Sequence, residues 1–109
     1  MAANKPIETD ILTRLYGIVE GRRGADPNVS GTARLFEAGL PKIAQKLGEE
    51  ATETVVAALV QGHGEVVAES ADLLYHLLVL WAARQVRPAE VFAELERRIG
   101  RPPKKPLAP

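Results

Sequence analysis

The sequence predicts an all-α domain, a bundle of two long antiparallel helices joined by shorter ones, and three observations predict it. Apolar residues recur at helical spacing in five separate stretches. The apolar content, 46% of the chain, is mostly Ala, Leu and Val, with only 5% aromatic residues, a helix-forming set. Glycine and proline gather at the junctions between the periodic stretches, at 24–31, 62–64 and 87–88. With 109 residues the chain is one domain's worth, large enough for a core but with little to spare. We take 1–100 as the domain and 101–109, RPPKKPLAP, as a Pro/Lys-rich tail expected to be disordered.

The elements follow in order. Ile11, Leu12, Leu15, Ile18 and Val19 predict a helix over 9–22, with Thr9 or Asp10 as N-cap and Gly17 as its weak point. Residues 24–31 read as a loop, and Ser30 then caps a short helix over 32–38 that stops at Gly39. Pro41 opens a long helix to about Gln61, whose core stripe reads Ile43, Leu47, Ala51 and Val55, with Ala44, Ala58 and Leu59. Gly62-His63-Gly64 predicts a turn tight enough to make the next helix, 65–85, an antiparallel neighbour. That helix is apolar on nearly every side from Leu73 to Ala83, so burial all round is expected, in the bundle centre or at a subunit interface. Val91, Phe92, Leu95 and Ile99 mark a last amphipathic helix after Pro88.

Composition excludes several function classes. Fourteen cations balance fourteen acids, and the tail holds Arg101, Lys104 and Lys105, so residues 1–100 carry 11 cations against 14 acids. A mildly acidic body argues against nonspecific nucleic-acid binding. Without cysteine there is no disulfide, thiol nucleophile or thiolate zinc site, and any metal must be held by oxygen or imidazole. The start lacks an apolar signal region, and the run Leu73–Ala83 falls short of the ~20 residues of a membrane span. A cytoplasmic protein free of membranes is expected.

The chemistry lies on the two long helices. At 100° per residue, Lys42, Lys46, Glu49, Glu50 and Glu53 share a sector of about 100° opposite the apolar stripe. A solvated face with Lys46–Glu50 and Lys46–Glu49 pairs is the plain explanation. Yet Glu49 and Glu53 form a repulsive i,i+4 pair that a cation would relieve. On the next helix, Glu65, Glu69, Asp72 and His76 form a stripe about 60° wide that runs into its most apolar part, where an unpaired carboxylate is costly. His76 alone reads more simply as a hydrogen-bonded core residue. Counted from His63 at ~1.5 Å per residue, Glu53 and Asp72 reach nearly one height, and Glu50, Glu53, Glu69 and Asp72 fall within roughly 10 Å along the axis. Four carboxylates and no thiolate describe a Mg²⁺ site, with Mn²⁺ as substitute, and Lys42 and Lys46 suit the phosphates such an ion accompanies.

Glu50-x-x-Glu53, fifteen residues, then Glu69-x-x-Asp72 resembles the metal-binding signature of the MazG-like all-α nucleoside-triphosphate pyrophosphohydrolases. LTRLYGIVEGRRGADP, SGTARLFEAGLPKIAQKLGEEATETVVAA, AESADLLYHLLVLWA and VFAELERR, over most of 10–98, resemble one family in particular, phosphoribosyl-ATP pyrophosphohydrolase of histidine biosynthesis. The resemblance implies a MazG-like bundle and Mg²⁺-dependent cleavage of the α–β phosphoanhydride of phosphoribosyl-ATP to phosphoribosyl-AMP and pyrophosphate. It also implies a cytoplasmic homodimer, in the stand-alone form not fused to the next enzyme of the pathway. Gly31 is a departure, since relatives often carry an aromatic there.

On this reading Glu50, Glu53, Glu69 and Asp72 hold the metal, and water is the nucleophile. Glu49 or Glu50 orients or deprotonates that water. Lys42, Lys46 and Arg34 clamp phosphates, and His76 bonds a ligand carboxylate. Two other functions remain open on the sequence: a house-cleaning (d)NTP pyrophosphohydrolase with the same metal site, and a metal-free helical interaction module. The first differs in the pocket that reads the base and sugar. The second leaves the shared height of the carboxylates without a reason.

Overall fold

The computed structural model describes residues 7–101, which form five α-helices and no strand. They are α1 (Ile7–Gly21), α2 (Gly31–Ala38), α3 (Leu40–Val60), α4 (His63–Ala83) and α5 (Pro88–Arg98). The predicted tail lies outside the described residues beyond Arg101.

Helix α1 begins two residues before the expected Thr9 or Asp10 cap, so both lie inside its first turn. In the loop that follows, the Asn28 N–H donates to Asp26 Oδ1 (2.9 Å). Ser30 caps α2 as expected, its hydroxyl accepting from the Ala33 N–H (3.1 Å). Gly39 alone joins α2 to α3, at φ +98°, a conformation that favours glycine, while its N–H donates to Leu35 O.

The α3–α4 turn is shorter than expected. His63 and Gly64 belong to α4, leaving only Gln61 and Gly62 between the helices. Glu65 makes this start workable, because its Oε1 accepts the Gly62 N–H (3.1 Å), the half of a capping box that does not need a side chain at the N-cap. The two helices then pack antiparallel in the most extensive contact of the chain. Helix α1 lies across α4, α2 packs on α3 and less on α4, and α5 touches α1.

Helix α3 turns a different face inward from the one expected. Its buried residues are Ile43, Glu50 and Ala57, whereas Val55 is 57% and Leu59 77% exposed, and Ala44 and Ala58 are exposed too. The inward face is centred on the border between the polar and apolar sectors, roughly a quarter-turn from the apolar stripe. Helix α4 is likewise not buried all round: Leu78, Val79 and Ala82 are buried, but Val67 and Leu74 are exposed. The three other helices leave part of this hairpin uncovered. At 21 residues α4 is long and apolar enough, by length and composition alone, to cross a bilayer, which the shorter apolar run did not suggest. Here it is the helix against which α1, α2 and α3 pack, and it carries Glu65, Glu69 and Asp72.

The core is Val19, Ile43, Val79 and Ala82, ringed by Leu15, Tyr16, Leu35, Phe36, Tyr75, Leu80 and Ala83. Arg23 closes one end, its guanidinium stacking on Phe36 (4.8 Å) and donating to Ala82 O, which ties the α1–α2 loop to the C-terminus of α4. In urea denaturation, Ile43→Ala is expected to lower the unfolding free energy by about 2–5 kcal/mol. Val29→Ala, on a loop residue 82% exposed, is expected to shift it by no more than ~0.5 kcal/mol.

Candidate metal centre and anion groove

The quarter-turn of α3 carries Glu50 into the interface with α4, where it is 8% exposed. There Glu50, Glu69 and Asp72 each present a carboxylate oxygen within 4.8 Å of the others. Glu53 is not one of this group, but it lies close enough for its charge to raise the pKa of Glu69. The backbone is stitched at the same level: the Thr54 hydroxyl lies 2.9 Å from Glu50 O and 3.2 Å from Glu69 O, one acceptor on each helix.

Glu69 bears the cost. Desolvation, together with the charges of Glu53, Asp72 and Glu50, pushes its pKa above the usual carboxylate value. Its Oε1 is buried without a hydrogen-bond partner. A buried acceptor without a donor is uncommon and expensive. A hard divalent cation would satisfy that atom, and a set of carboxylate oxygens is the donor chemistry such a cation takes. The residues therefore fit a metal.

One turn along α4, His76 departs from expectation. It makes no hydrogen bond to a carboxylate among the described residues, and its Nδ1 is buried without a partner. Its ring meets Tyr75 edge to face, centroids 4.9 Å apart. Tyr75 also pairs its hydroxyl with Thr32 Oγ1, pinning the first turn of α2 to α4.

The expected cations are gathered on the α2–α3 side. A groove of about 510 Å³ is lined by Gly31, Arg34, Leu35, Lys42, Lys46 and Glu49, among others. Glu49 faces this groove and is not part of the carboxylate group. Gln45 Nε2 donates to it at 2.9 Å and Lys46 Nζ lies 3.3 Å away. The Gln45 hydrogen bond and the Lys46 charge hold its pKa below the usual value. Arg34 is folded back, Nη1 donating to Pro27 O (2.6 Å) and Nη2 lying 3.4 Å from where a Cβ on Gly31 would stand. A side chain at position 31 would therefore stand in contact with the guanidinium.

Comparison with known proteins decides the lineage. Residues 12–99 match the family model described as phosphoribosyl-ATP pyrophosphohydrolase. A phosphoribosyl-ATP pyrophosphatase of Paramagnetospirillum magneticum is 60% identical over 93 residues, 85% of each chain. One from Parvibaculum lavamentivorans is 59% identical over 90 residues, 83% of each. Another from Azospirillum brasilense is 52% identical over 100 residues, 92% of this chain and 89% of the relative. The chain belongs to the phosphoribosyl-ATP pyrophosphohydrolase family. It is thereby an enzyme of the hydrolase class, and the reading as a metal-free interaction module falls.

Sequence reasoning placed this pyrophosphohydrolase's carboxylates at the right height but missed the polar contacts that set them. Thr54 lies four residues after Glu50, on the inward face, and that spacing was its signal. The Thr32–Tyr75 pair is 43 residues apart and left no local signal.

A pH dependence follows from Glu69. An acid whose pKa is raised by folding favours the folded state only while protonated, so that contribution is present at low pH and lost as pH rises through the folded-state pKa. Without divalent ions, Glu69→Gln is expected to melt above the wild type at neutral pH, with the gap closing below about pH 4. Thermal melts across pH in EDTA check this.

Proposed function

We propose that the protein hydrolyses the α–β phosphoanhydride of phosphoribosyl-ATP to phosphoribosyl-AMP and pyrophosphate, with Mg²⁺, as a step of histidine biosynthesis in the cytoplasm. The observation that carries this reading is the meeting of Glu50, Glu69 and Asp72 between α3 and α4, beside a groove lined by three cations, in a chain of this family. Glu50, Glu69 and Asp72 hold the cation, with Glu53 completing the set from its place beside Glu69. When bound, Mg²⁺ neutralises charge on the leaving pyrophosphate and acidifies a water, and Mn²⁺ can serve in its place.

The chain's own residues do the rest. The oxygen of a water forms a bond to phosphorus as the anhydride P–O bond breaks, and pyrophosphate leaves. A carboxylate of the Glu49–Glu50 pair receives the water's proton. Of the two, Glu50 suits the role better. Glu49 faces the groove instead, held by Gln45 and Lys46, which keep its pKa below the usual carboxylate value and fit it to position Lys46. Lys46, Lys42 and Arg34 bind phosphate oxygens, the lysines as point charges and the arginine as a fork. With no cysteine in the chain there is no thiol nucleophile to compete with that water. His76, whose Nδ1 is buried without a hydrogen-bond partner, would bond and orient a ligand carboxylate if the centre held its cation.

A homodimer completes the reading. The hairpin end exposes Val55, Val56, Leu59 and Val60 on α3 and Val67 on α4. The radius of gyration is 16.1 Å, against about 13 Å for a compact chain of this length. A second copy laid on that face covers apolar surface that the chain leaves open.

The test is pyrophosphate release from phosphoribosyl-ATP beside a panel of (d)NTPs, in Mg²⁺ and in EDTA. Mg²⁺-dependent release from phosphoribosyl-ATP, with kcat/KM lowered at least about 100-fold in Glu53→Gln, is expected. Release from a (d)NTP alone contradicts the substrate while leaving the metal chemistry, and would return the house-cleaning reading.

A further inference from the structure

Resting on that reading, the groove divides by charge and distance. Its near end, Lys46 with Glu49, lies one turn from Glu50, about 6 Å along α3. Its far end, Lys42 and Arg34, lies beyond, with Lys42 eight residues or about 12 Å from Glu50. The two ends are held differently. Lys46 is already within ion-pair distance of Glu49, while no carboxylate among the described residues pairs with Lys42. Arg34 keeps one nitrogen on Pro27 O, so the fork is fixed in place while its other face looks onto the groove over Gly31.

Glu37 also lines this groove, forms no ion pair among the described residues, and borders a second cavity, of about 550 Å³, that includes Ala25, Pro27, Phe36 and Leu40. A carboxylate without a cation repels phosphate but accepts hydrogen bonds from hydroxyls. From the carboxylate centre outward along α3 the groove therefore offers metal ligands, a cation paired with Glu49, then a second cation, with Arg34 and the hydroxyl acceptor Glu37 supplied from α2. Phosphoribosyl-ATP has the same order: a triphosphate, then sugars and base, then a single phosphate at the far end. ATP shares the first part and lacks the last.

We propose that Lys42 and Arg34 form a second anion subsite that reads the far 5′-phosphate of the phosphoribosyl group, and that Glu37 accepts from the hydroxyls of its ribose. Lys46 serves the phosphates next to the metal. Discrimination between phosphoribosyl nucleotides and plain adenine nucleotides then resides at the far end of the groove, away from the reacting bond. A charged hydrogen-bonded contact of this kind changes affinity by roughly 10- to 100-fold.

The experiment compares AMP and phosphoribosyl-AMP as inhibitors of pyrophosphate release from phosphoribosyl-ATP, in the wild type, Lys42→Met, Arg34→Met and Lys46→Met. Circular dichroism checks that each variant is folded. In Lys42→Met and Arg34→Met the inhibition constant of phosphoribosyl-AMP is expected to rise 10- to 100-fold while that of AMP moves less than about twofold. In Lys46→Met both rise together. A common rise for both inhibitors in the Lys42 and Arg34 variants, or no rise for either, overturns the subsite. No release by the wild type overturns the proposed function itself, so the two failures are separable.

Discussion

Everything at this centre depends on one constraint, the antiparallel pairing of α3 and α4 across a two-residue turn. Two 21-residue helices joined so closely have no freedom of register, and residues at equal distance from the turn must face one another. Here that register sets acid against acid. Glu50 is carried into the interface, Glu69 and Asp72 meet it, and Glu53 adds its charge from the rim. Like charges in a half-buried seam oppose the packing that creates them. The seam closes because apolar contact farther along, Ile43 against Val79 and Ala82, holds the same two helices together. Stability at the open end of the hairpin sustains an unfavourable arrangement at its middle, and a cation would turn that arrangement into a binding site.

The groove follows from the same register. Lys42, Lys46 and Glu49 stand on the outer side of the α3 turns that bury Ile43 and Glu50. Helix α2 is laid beside them by Gly39, by the Ser30 cap and by the Thr32–Tyr75 pair, which brings Arg34 within reach. The anion groove and the carboxylate centre are thus two faces of one helix. Moving α3 about its axis would disturb both.

Much of this was legible in the sequence, and the misses have a common physical origin. Element order, the Ser30 cap, the antiparallel hairpin and the common height of the carboxylates all follow from local spacing, because rise per residue and cap chemistry are local properties. Rotation about the helix axis is not local. The apolar stripe pointed to Val55 and Leu59 as core, but these are exposed, since the partner that α3 meets in its own chain is the polar stripe of α4. The turn at 61–62 depended on Glu65 reaching back to Gly62, a contact that punctuation by Gly-His-Gly conceals. The surroundings of the His76 ring and the Gln45 contact of Glu49 were not legible either, because a helical wheel gives direction without saying what stands there.

The central claim is that the α3–α4 seam is a divalent-cation site. Titrating the full chain with Mn²⁺ at neutral pH and following free Mn²⁺ by electron paramagnetic resonance tests it without substrate or turnover. Saturable binding that Mg²⁺ displaces, and that Asp72→Asn and Glu50→Gln each abolish while remaining folded, is the result the account predicts. No saturable binding by the wild type, or binding that persists unchanged in both variants, would contradict it.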